Sequence, residues 1–350
     1  MRILKSILCL ILVFLTVASA TGCQRSQAKP KSKVFWDCFD TVSYVYSYAG
    51  DSDEEFSERC NGVGEILSEY HKMFDIYNEY QGINNLRTVN KNAGGEPVSV
   101  DGRLVDFLLY AKELYELTGG EMNVMMGSVL RLWHNCRSEA SENPENARIP
   151  TSEELSEAAL HTDISLLEID RENSTVRITD PSASIDVGAL GKGYATEKAA
   201  EYLEGLGAES YVLDIGGNLR IIGKKPDGSG WITGVRDPFD LSSNAERFLL
   251  SDISCVTSGD YERYYTVDGE KYHHIIDKDT MMPAEYFSSV TVMTADSGLA
   301  DALSTALFSM SYEDGLLLLE GLDCEVEVLW IGRDGKHYES NGLEKYKYVK

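Results

Sequence analysis

The stretch Ser184-Ile185-Asp186-Val187-Gly188-Ala189-Leu190-Gly191-Lys192-Gly193-Tyr194-Ala195 decides how the chain reads. An apolar, strand-like piece at 184–187 runs through a glycine-rich turn holding one Lys and into a helix expected over residues 195–206. Glycine lets backbone approach a ligand closely, and a helix N-terminus favours negative charge. Lys192 is followed by Gly193, so this is not a phosphate-binding P-loop, which needs Ser or Thr there. The glycine spacing is not that of a dinucleotide fold either. Two readings stay open: a cradle for a phosphorylated ligand, or a tight strand-to-helix connection with Lys192 in solvent.

A second piece favours the cradle. In Ala300-Asp301-Ala302-Leu303-Ser304-Thr305-Ala306 a carboxylate and a hydroxyl stand four residues apart, on one face of an expected helix over 298–310. Both are hard oxygen ligands, and Mg²⁺ takes a few such oxygens, with water and phosphate filling the remainder. The plain alternative is a solvated Asp near a helix start. Tyr272-His273-His274-Ile275-Ile276-Asp277 reads as a strand with His274 and Ile276 on one face and His273, Ile275 and Asp277 on the other. One of these histidines is either a general base or a half-buried edge residue. Thr257-Ser258-Gly259-Asp260 and Asp214-Ile215-Gly216-Gly217-Asn218 are turns that can pass close to a ligand. Tyr77, Tyr80 and Trp133 offer faces to a flat ring, or serve as core.

Outward from these motifs, the pattern predicts strands within 34–48 and helices at 56–74 and 104–117, the latter stopped by Gly119-Gly120. Residues 138–150 read as an exposed loop, and Thr151 or Ser152 as the cap of a short helix. Further strands are expected at 164–169, 175–178, 184–187, 211–214, 219–222, 232–235, 272–276, 289–293 and 325–331, with a helix at 312–319. Strands and helices do not alternate as in a doubly wound sheet. The fold class is therefore α+β, with mixed helices and a largely antiparallel sheet. There is no internal repeat.

The N-terminus is a targeting segment. Arg2 and Lys5 precede an apolar run and Ala20-Thr21-Gly22-Cys23. This is the pattern of a bacterial lipoprotein signal: residues 1–22 removed, Cys23 lipidated with acyl chains such as palmitate, 23–33 a tether and 34–350 the domain. The expected location is the extracytoplasmic face of the cell membrane. Thirty-two basic against 57 acidic residues give a net charge of −25. That argues against nucleic acid and against charge-driven adsorption to anionic lipid. Of seven Cys, those after Cys23 are odd in number and lack CxxC spacing, so neither a disulfide framework nor a zinc site is indicated.

The motifs stand in a recognisable order. Phe39-Asp40-Thr41, Asp75-Ile76-Tyr77, Ile83-Asn84-Asn85 with Asn90, Gly119-Gly120 through Leu132-Trp133, the glycine turn, Asp214 to Asn218, Thr257 to Asp260, His274 to Asp277 and Asp301 to Thr305 together resemble the ApbE family of FAD:protein FMN transferases. The resemblance implies an FAD site between two intimately packed subdomains. It further implies Mg²⁺ as cofactor, held by Asp301, Thr305 and the Ala189 carbonyl. FAD would be contacted by Phe39, Tyr77, Glu121, Met122, Asn123, Asp186, Lys192 and Ile275, and His274 would act as base or orient the attacking hydroxyl. FMN would pass from FAD to a Thr or Ser of a partner, and AMP would leave. Family acceptors are of the membrane electron-transport subunit type, with an Asp-Gly-x-Ser/Thr-Gly-Ala-Thr-like segment.

Two positions depart from the family pattern. Its Gly-Ala-Phe-Asp reads Gly120-Glu121-Met122-Asn123, so no anion stands at Asn123. Its Asp-Pro-x-Thr-Gly-x-Pro reads Asp277-Lys278-Asp279-Thr280-Met281-Met282-Pro283, which leaves that loop free to take another shape. Two other functions fit the same motifs: an FAD pyrophosphatase giving FMN and AMP, and a surface lipoprotein that only binds flavin. The last predicts binding without Mg²⁺ and tolerance of Asp301→Ala.

Overall fold

The computed structural model describes residues 30–349. Cys23, the expected signal segment and the first part of the tether lie outside the described residues. Strand β1 (Lys31–Cys38) begins within the expected tether and pairs with β2 (Thr41–Ser47) through a turn at Phe39 and Asp40. Both turn residues have positive φ, 58° and 51°, which suits a two-residue hairpin.

Helix α1 (Asp53–Phe74) starts at a capping box: Ser52 Oγ accepts from the Glu55 amide at 3.1 Å, and Glu55 Oε2 accepts from the Ser52 amide at 2.8 Å. Such caps are each worth about 1 kcal/mol. Helix α2 (Leu86–Lys91), strand β3 (Val98–Ser99) and helix α3 (Gly102–Leu117) follow. Helix α4 (Gly127–Glu142) takes in the first five residues of the predicted loop over 138–150. Its buried Val129, Trp133, Cys136 and Ala140 recur at four- and three-residue steps, a helical stripe that the polar tail after Ser138 obscures. Thr151, not Ser152, caps α5 (Ser152–Ala159).

Strands β4 (Leu167–Asp170) and β5 (Thr175–Ile178) form a small sheet with β3. Residues 184–187 are not a strand. Ser184 makes an isolated parallel bridge to Met126, and Asp186 donates its amide to the Val124 carbonyl at 2.8 Å. Helix α6 (Gly191–Gly205) starts four residues before its predicted position, so Lys192 and Gly193 lie in its first turn. Strands β6 (Ser210–Ile215), β7 (Asn218–Gly223), β8 (Trp231–Arg236), β9 (Asn244–Leu250), β10 (Ile253–Gly259), β11 (Tyr264–Val267) and β12 (Glu270–His273) come next. The chain ends with β13 (Phe287–Thr294), α7 (Ser297–Phe308), α8 (Tyr312–Glu320), β14 (Val326–Gly332) and β15 (His337–Glu339).

The main sheet has eight strands in the order β1-β2-β6-β7-β10-β13-β14-β15, every neighbour antiparallel. All eight residues of β13 are buried because both faces of the sheet are covered. Val290 and Val292 face the α7–α8 side with Val328 and Trp330. Met293 faces the other side with Leu329 and Ile331, under the β8–β9 hairpin. The largest core joins α1, α3 and α6 to the β2–β6 end of the sheet. The two halves meet where α6 packs on α7, and that seam carries the glycine-turn and carboxylate motifs. Among the described residues no helix is long and apolar enough to cross a membrane, and Cys38, Cys60, Cys136, Cys255 and Cys324 are all free thiols.

Candidate functional site

The seam is drawn tight by a missing side chain. A Cβ on Gly193 would stand 2.4 Å from both Asp301 Cβ and the Ser297 carbonyl oxygen. Without it, the Gly193 amide donates to Asp301 Oδ2 at 2.8 Å. That amide is then lost to the helix's own ladder. Among the described residues no hydrogen bond is found on the Ala189 carbonyl four residues earlier. Glu197 Oε2 accepts from the Ser297 amide at 2.7 Å and pins the start of α7 to α6.

Asp301 is 4% exposed. Burial pushes its carboxyl above the usual range, while the nearby Lys192 ammonium and the Gly193 amide pull it back. Lys192 Nζ reaches Asn218 Oδ1 at 3.4 Å. Asn218 opens β7 after the hairpin turn Gly216-Gly217, where φ is 58° and 90°. It is 3% exposed; its side chain helps hold the Asp301 carboxyl down, yet among the described residues its Nδ2 completes no hydrogen bond. A buried orphan donor beside a lysine suits an anionic ligand oxygen. Thr305, one turn beyond Asp301, has its hydroxyl 3.3 Å from Ser258 Oγ, which also lies 2.8 Å from Ser304 Oγ. Among the described residues no three His, Cys, Asp or Glu side chains group to hold a metal ion. A cation here would be held by one carboxylate and neutral oxygens, a donor set that suits Mg²⁺ with phosphate. Asp301, Thr305 and Ala189 fit that description. Ser258→Ala removes the hydroxyl that holds Thr305 and Ser304 and is expected to cost about 1 kcal/mol; thermal unfolding measures it.

At the other end of the turn, Asp186 Oδ1 accepts from the Gly188 amide at 2.9 Å. Burial raises its carboxyl, against the Gly188 bond and the charges of His134, Arg263 and Arg137. Tyr77 is half exposed, with its hydroxyl 3.4 Å from His134 Nδ1 and its ring 5.2 Å from the imidazole. His274 follows β12, which stops at His273, shorter than expected. The predicted alternation survives in burial: His273, Ile275 and Asp277 are buried, and His274 and Ile276 are partly exposed. His274 Nδ1 lies 3.2 Å from the Arg263 carbonyl. A carbonyl only accepts, so Nδ1 carries the proton and the Nε2 lone pair is free. Burial, then Arg263, His273 and Arg137, push the His274 pKa down to about 3. Neutral at pH 7, it can accept a hydrogen bond but is a weak base.

Several expected contacts sit elsewhere. Met122 and Ile275 are 1% and 4% exposed and pack in the cores, so neither lines an open cleft. Asn123 spends its side chain on the chain itself: Nδ2 donates to the Thr162 carbonyl and Oδ1 accepts from the Met125 amide, both at 2.9 Å. It does face a cleft of about 270 Å³ with Gly119, Gly120 and Lys278. Phe39 holds the β1–β2 turn, its amide donating to His71 Nδ1 at 3.1 Å.

The two departures from the family pattern meet each other. Lys278 Nζ lies 3.3 Å from Glu121 Oε1. In the same loop Asp277 Oδ1 accepts from the Asp279 and Thr280 amides at 2.9 and 2.8 Å, and Met281 takes φ 58° where the family pattern has glycine. The loop thus adopts a glycine-type turn without glycine. Met281→Val is expected to lose about 1–2 kcal/mol, since a β-branched residue tolerates this region least; thermal unfolding measures it. Sequence reading missed Arg137, Arg263 and His134. The helical stripe of α4 was the available signal for His134 and Arg137, which share one side of it.

Fold and site define an α+β protein with a buried carboxylate, hydroxyls and a lysine set in a helix seam against an antiparallel sheet. The chain belongs to the ApbE family, whose model matches residues 41–330. The FAD:protein FMN transferase of Vibrio cholerae is 32% identical over 278 residues, spanning 78% of this chain and 80% of that protein. That of Treponema pallidum is 32% identical over 273 residues, spanning 74% and 73%. Among solved structures, the ApbE protein of Thermotoga maritima superposes with a TM-score of 0.80 at 28% identity, covering 92% of this chain and 100% of that one. Flavin transferase ApbE from Vibrio cholerae gives 0.74 at 26%, covering 91% and 99%.

Proposed function

We propose that this chain transfers FMN from FAD to a Ser or Thr hydroxyl of a partner protein in a Mg²⁺-dependent reaction. The observation that carries it is buried Asp301, fixed by the Gly193 amide and flanked by Lys192 and the side chain of Asn218. The names of the relatives agree with it. In this reaction the acceptor oxygen bonds to the FMN-side phosphorus and gives up its proton to water, the bond to the bridging oxygen breaks, and AMP leaves with that oxygen. When bound, Mg²⁺ neutralises charge on the diphosphate. Asp301, Thr305 and the Ala189 carbonyl hold it. Lys192 and Asn218 Nδ2 contact phosphate oxygens. Tyr77 and the cleft at Asn123 border the nucleotide. His274 Nε2 accepts the hydrogen bond of the attacking hydroxyl and orients it.

The test is incubation of the soluble form (24–350) with FAD, Mg²⁺ and an acceptor-bearing protein, read by mass spectrometry beside Asp301→Ala. An acceptor heavier by FMN, absent in the variant, supports transfer. Unmodified acceptor with free FMN and AMP points to a pyrophosphatase. Intact FAD bound equally by both forms leaves a flavin-binding protein without catalysis. We also propose lipidation at Cys23 and residence on the extracytoplasmic face of the membrane, from the sequence pattern at 1–23. Failure of Cys23→Ser to abolish palmitate labelling of the full chain would overturn that.

A further inference from the structure

Helices α6 and α7 are joined by two hydrogen bonds that mirror each other. The Gly193 amide of α6 donates to Asp301 Oδ2 on α7 at 2.8 Å, and one turn along the Ser297 amide of α7 donates to Glu197 Oε2 on α6 at 2.7 Å. Gly193 and Glu197 stand four residues apart, as do Ser297 and Asp301, so the bonds are successive rungs of one antiparallel seam. Ser297 is the first residue of α7, and its amide has no acceptor within its own helix. The cap of α7, Asp296, is occupied: its Oδ1 accepts from the Leu299 amide at 2.6 Å and the Tyr110 hydroxyl at 3.2 Å. The acceptor for the first amide of α7 is thus borrowed from α6.

A third element joins the seam. Asn218 and Arg220 are two residues apart on β7 and share a face. Asn218 meets Lys192, and Arg220 meets the acids of α6. Arg220 Nε lies 3.3 Å from Glu197 Oε2, an ion pair without the alignment of a hydrogen bond. Its Nη2 donates to Glu204 Oε1 at 2.9 Å, and its Nη1 donates to the Ile221 carbonyl at 2.6 Å and stands 3.6 Å from Asp252. The Arg220 and Glu197 side chains are only 8% and 11% exposed. A buried ion pair is a poor source of stability, since well-packed apolar side chains of similar volume do as well. What it supplies is direction, because a guanidinium fork restricts where a carboxylate can point.

We propose that Glu197, aimed by Arg220, is a positioning residue that sets where the Asp301 carboxylate stands. It acts through α7: holding the first amide fixes that helix against α6, and Asp301 lies one turn further along. The elements so tied carry Asn218, Lys192 and Asp301, the groups assigned above to the diphosphate and its cation. The consequence for Mg²⁺ rests on the reaction proposed above; the consequence for Asp301 does not.

Two variants of similar length divide the roles. Glu197→Gln keeps an acceptor oxygen for the Ser297 amide and loses the charge, while Glu197→Met loses both. Glu204→Gln removes another partner of Arg220 that has no bond to α7 among the described residues, and is the control for stability. Melting temperature, Mg²⁺ affinity by calorimetry with FAD present, and exchange of the Gly193 amide by NMR are read on the soluble form. That amide lies in the first turn of α6 and is bonded to Asp301, so its protection reports that bond. Glu197→Met should weaken Mg²⁺ binding about tenfold or more and speed Gly193 exchange. Glu197→Gln and Glu204→Gln should lower the melting temperature while leaving both near the wild type. Losses of affinity and protection that follow melting temperature across the variants, whatever the acceptor oxygen, would overturn the inference. Should Glu197→Met not fold, exchange in the wild type decides: the Gly193 and Ser297 amides should open together, with one denaturant dependence, and separate openings would overturn it. Should the wild type bind no Mg²⁺, the metal reading falls, and Gly193 exchange alone decides the role of Glu197.

Discussion

Asp301→Asn is expected to cut flavin transfer by ~10³-fold or more while leaving the folded protein at least as stable as before. A metal-held charge in phosphoryl transfer contributes several kcal/mol to the transition state, and about 4 kcal/mol is three decades in rate. The stability sign follows from burial. The Asp301 carboxyl is raised above its unfolded value, which is about 3.9. The unfolded chain therefore loses that proton first as pH rises. The residue costs stability above pH ~4, and the cost grows until the folded group also ionises. Asn keeps the shape and removes the cost. Mg²⁺ with FAD should raise the melting temperature of the wild type and not of the variant, by an amount that grows with ligand concentration. A variant that still transfers FMN at near wild-type rate, or that is still stabilised by Mg²⁺, would remove Asp301 from the site.

Gly193→Ala is expected to unsettle fold and site at once. Alanine is the better helix former by about 1 kcal/mol, so propensity alone predicts a gain. Contact predicts the opposite. The new methyl would stand 2.4 Å from a backbone carbonyl and from Asp301 Cβ, neither of which is a flexible chain end. Overpacking of this kind costs about 1–3 kcal/mol, and here the upper end applies because two helices must part. Parting them lengthens the Gly193–Asp301 hydrogen bond, so Mg²⁺ affinity should fall by about tenfold or more. Gly205, at the end of the same helix, has nothing within 4 Å of a built Cβ. Gly205→Ala should be neutral or mildly stabilising. Equal melting temperatures for the two variants would show that the seam has room for a methyl group.

Much of this was legible in the chain because its signals are local. The caps at Ser52 and Thr151, the apolar stripe of α1 and the glycine stops after α3 each depend on neighbours a few residues away. The Asp301–Thr305 spacing is helical and could be read directly. What escaped depends on distance in sequence. The 184–187 segment has the composition of a strand but spends its amides on Val124 and Asn90, so it lies along the core without joining a ladder. Strand β10 is seven residues long and takes in Thr257-Ser258-Gly259, expected as a turn; it gives no alternation because it is covered on both faces. Met122 and Ile275 stand inside motifs, yet the burial of their neighbours turns them inward. Glu197 and Ser297 are 100 residues apart in sequence, and only the packing of α6 against α7 brings them to one place.

The two outer strands of the main sheet bear on how this molecule avoids its own kind. An open antiparallel sheet ends in rows of unpaired amides and carbonyls that can template association with another chain. Strand β1 carries Lys31 and Lys33, and its register slips between Phe35 and Cys38, which interrupts any straight docking line. Strand β15 is three residues long, too short to seed a ladder. Charge and irregularity guard one border and brevity the other, so neither edge of this broad sheet offers a second copy a straight row of amides and carbonyls.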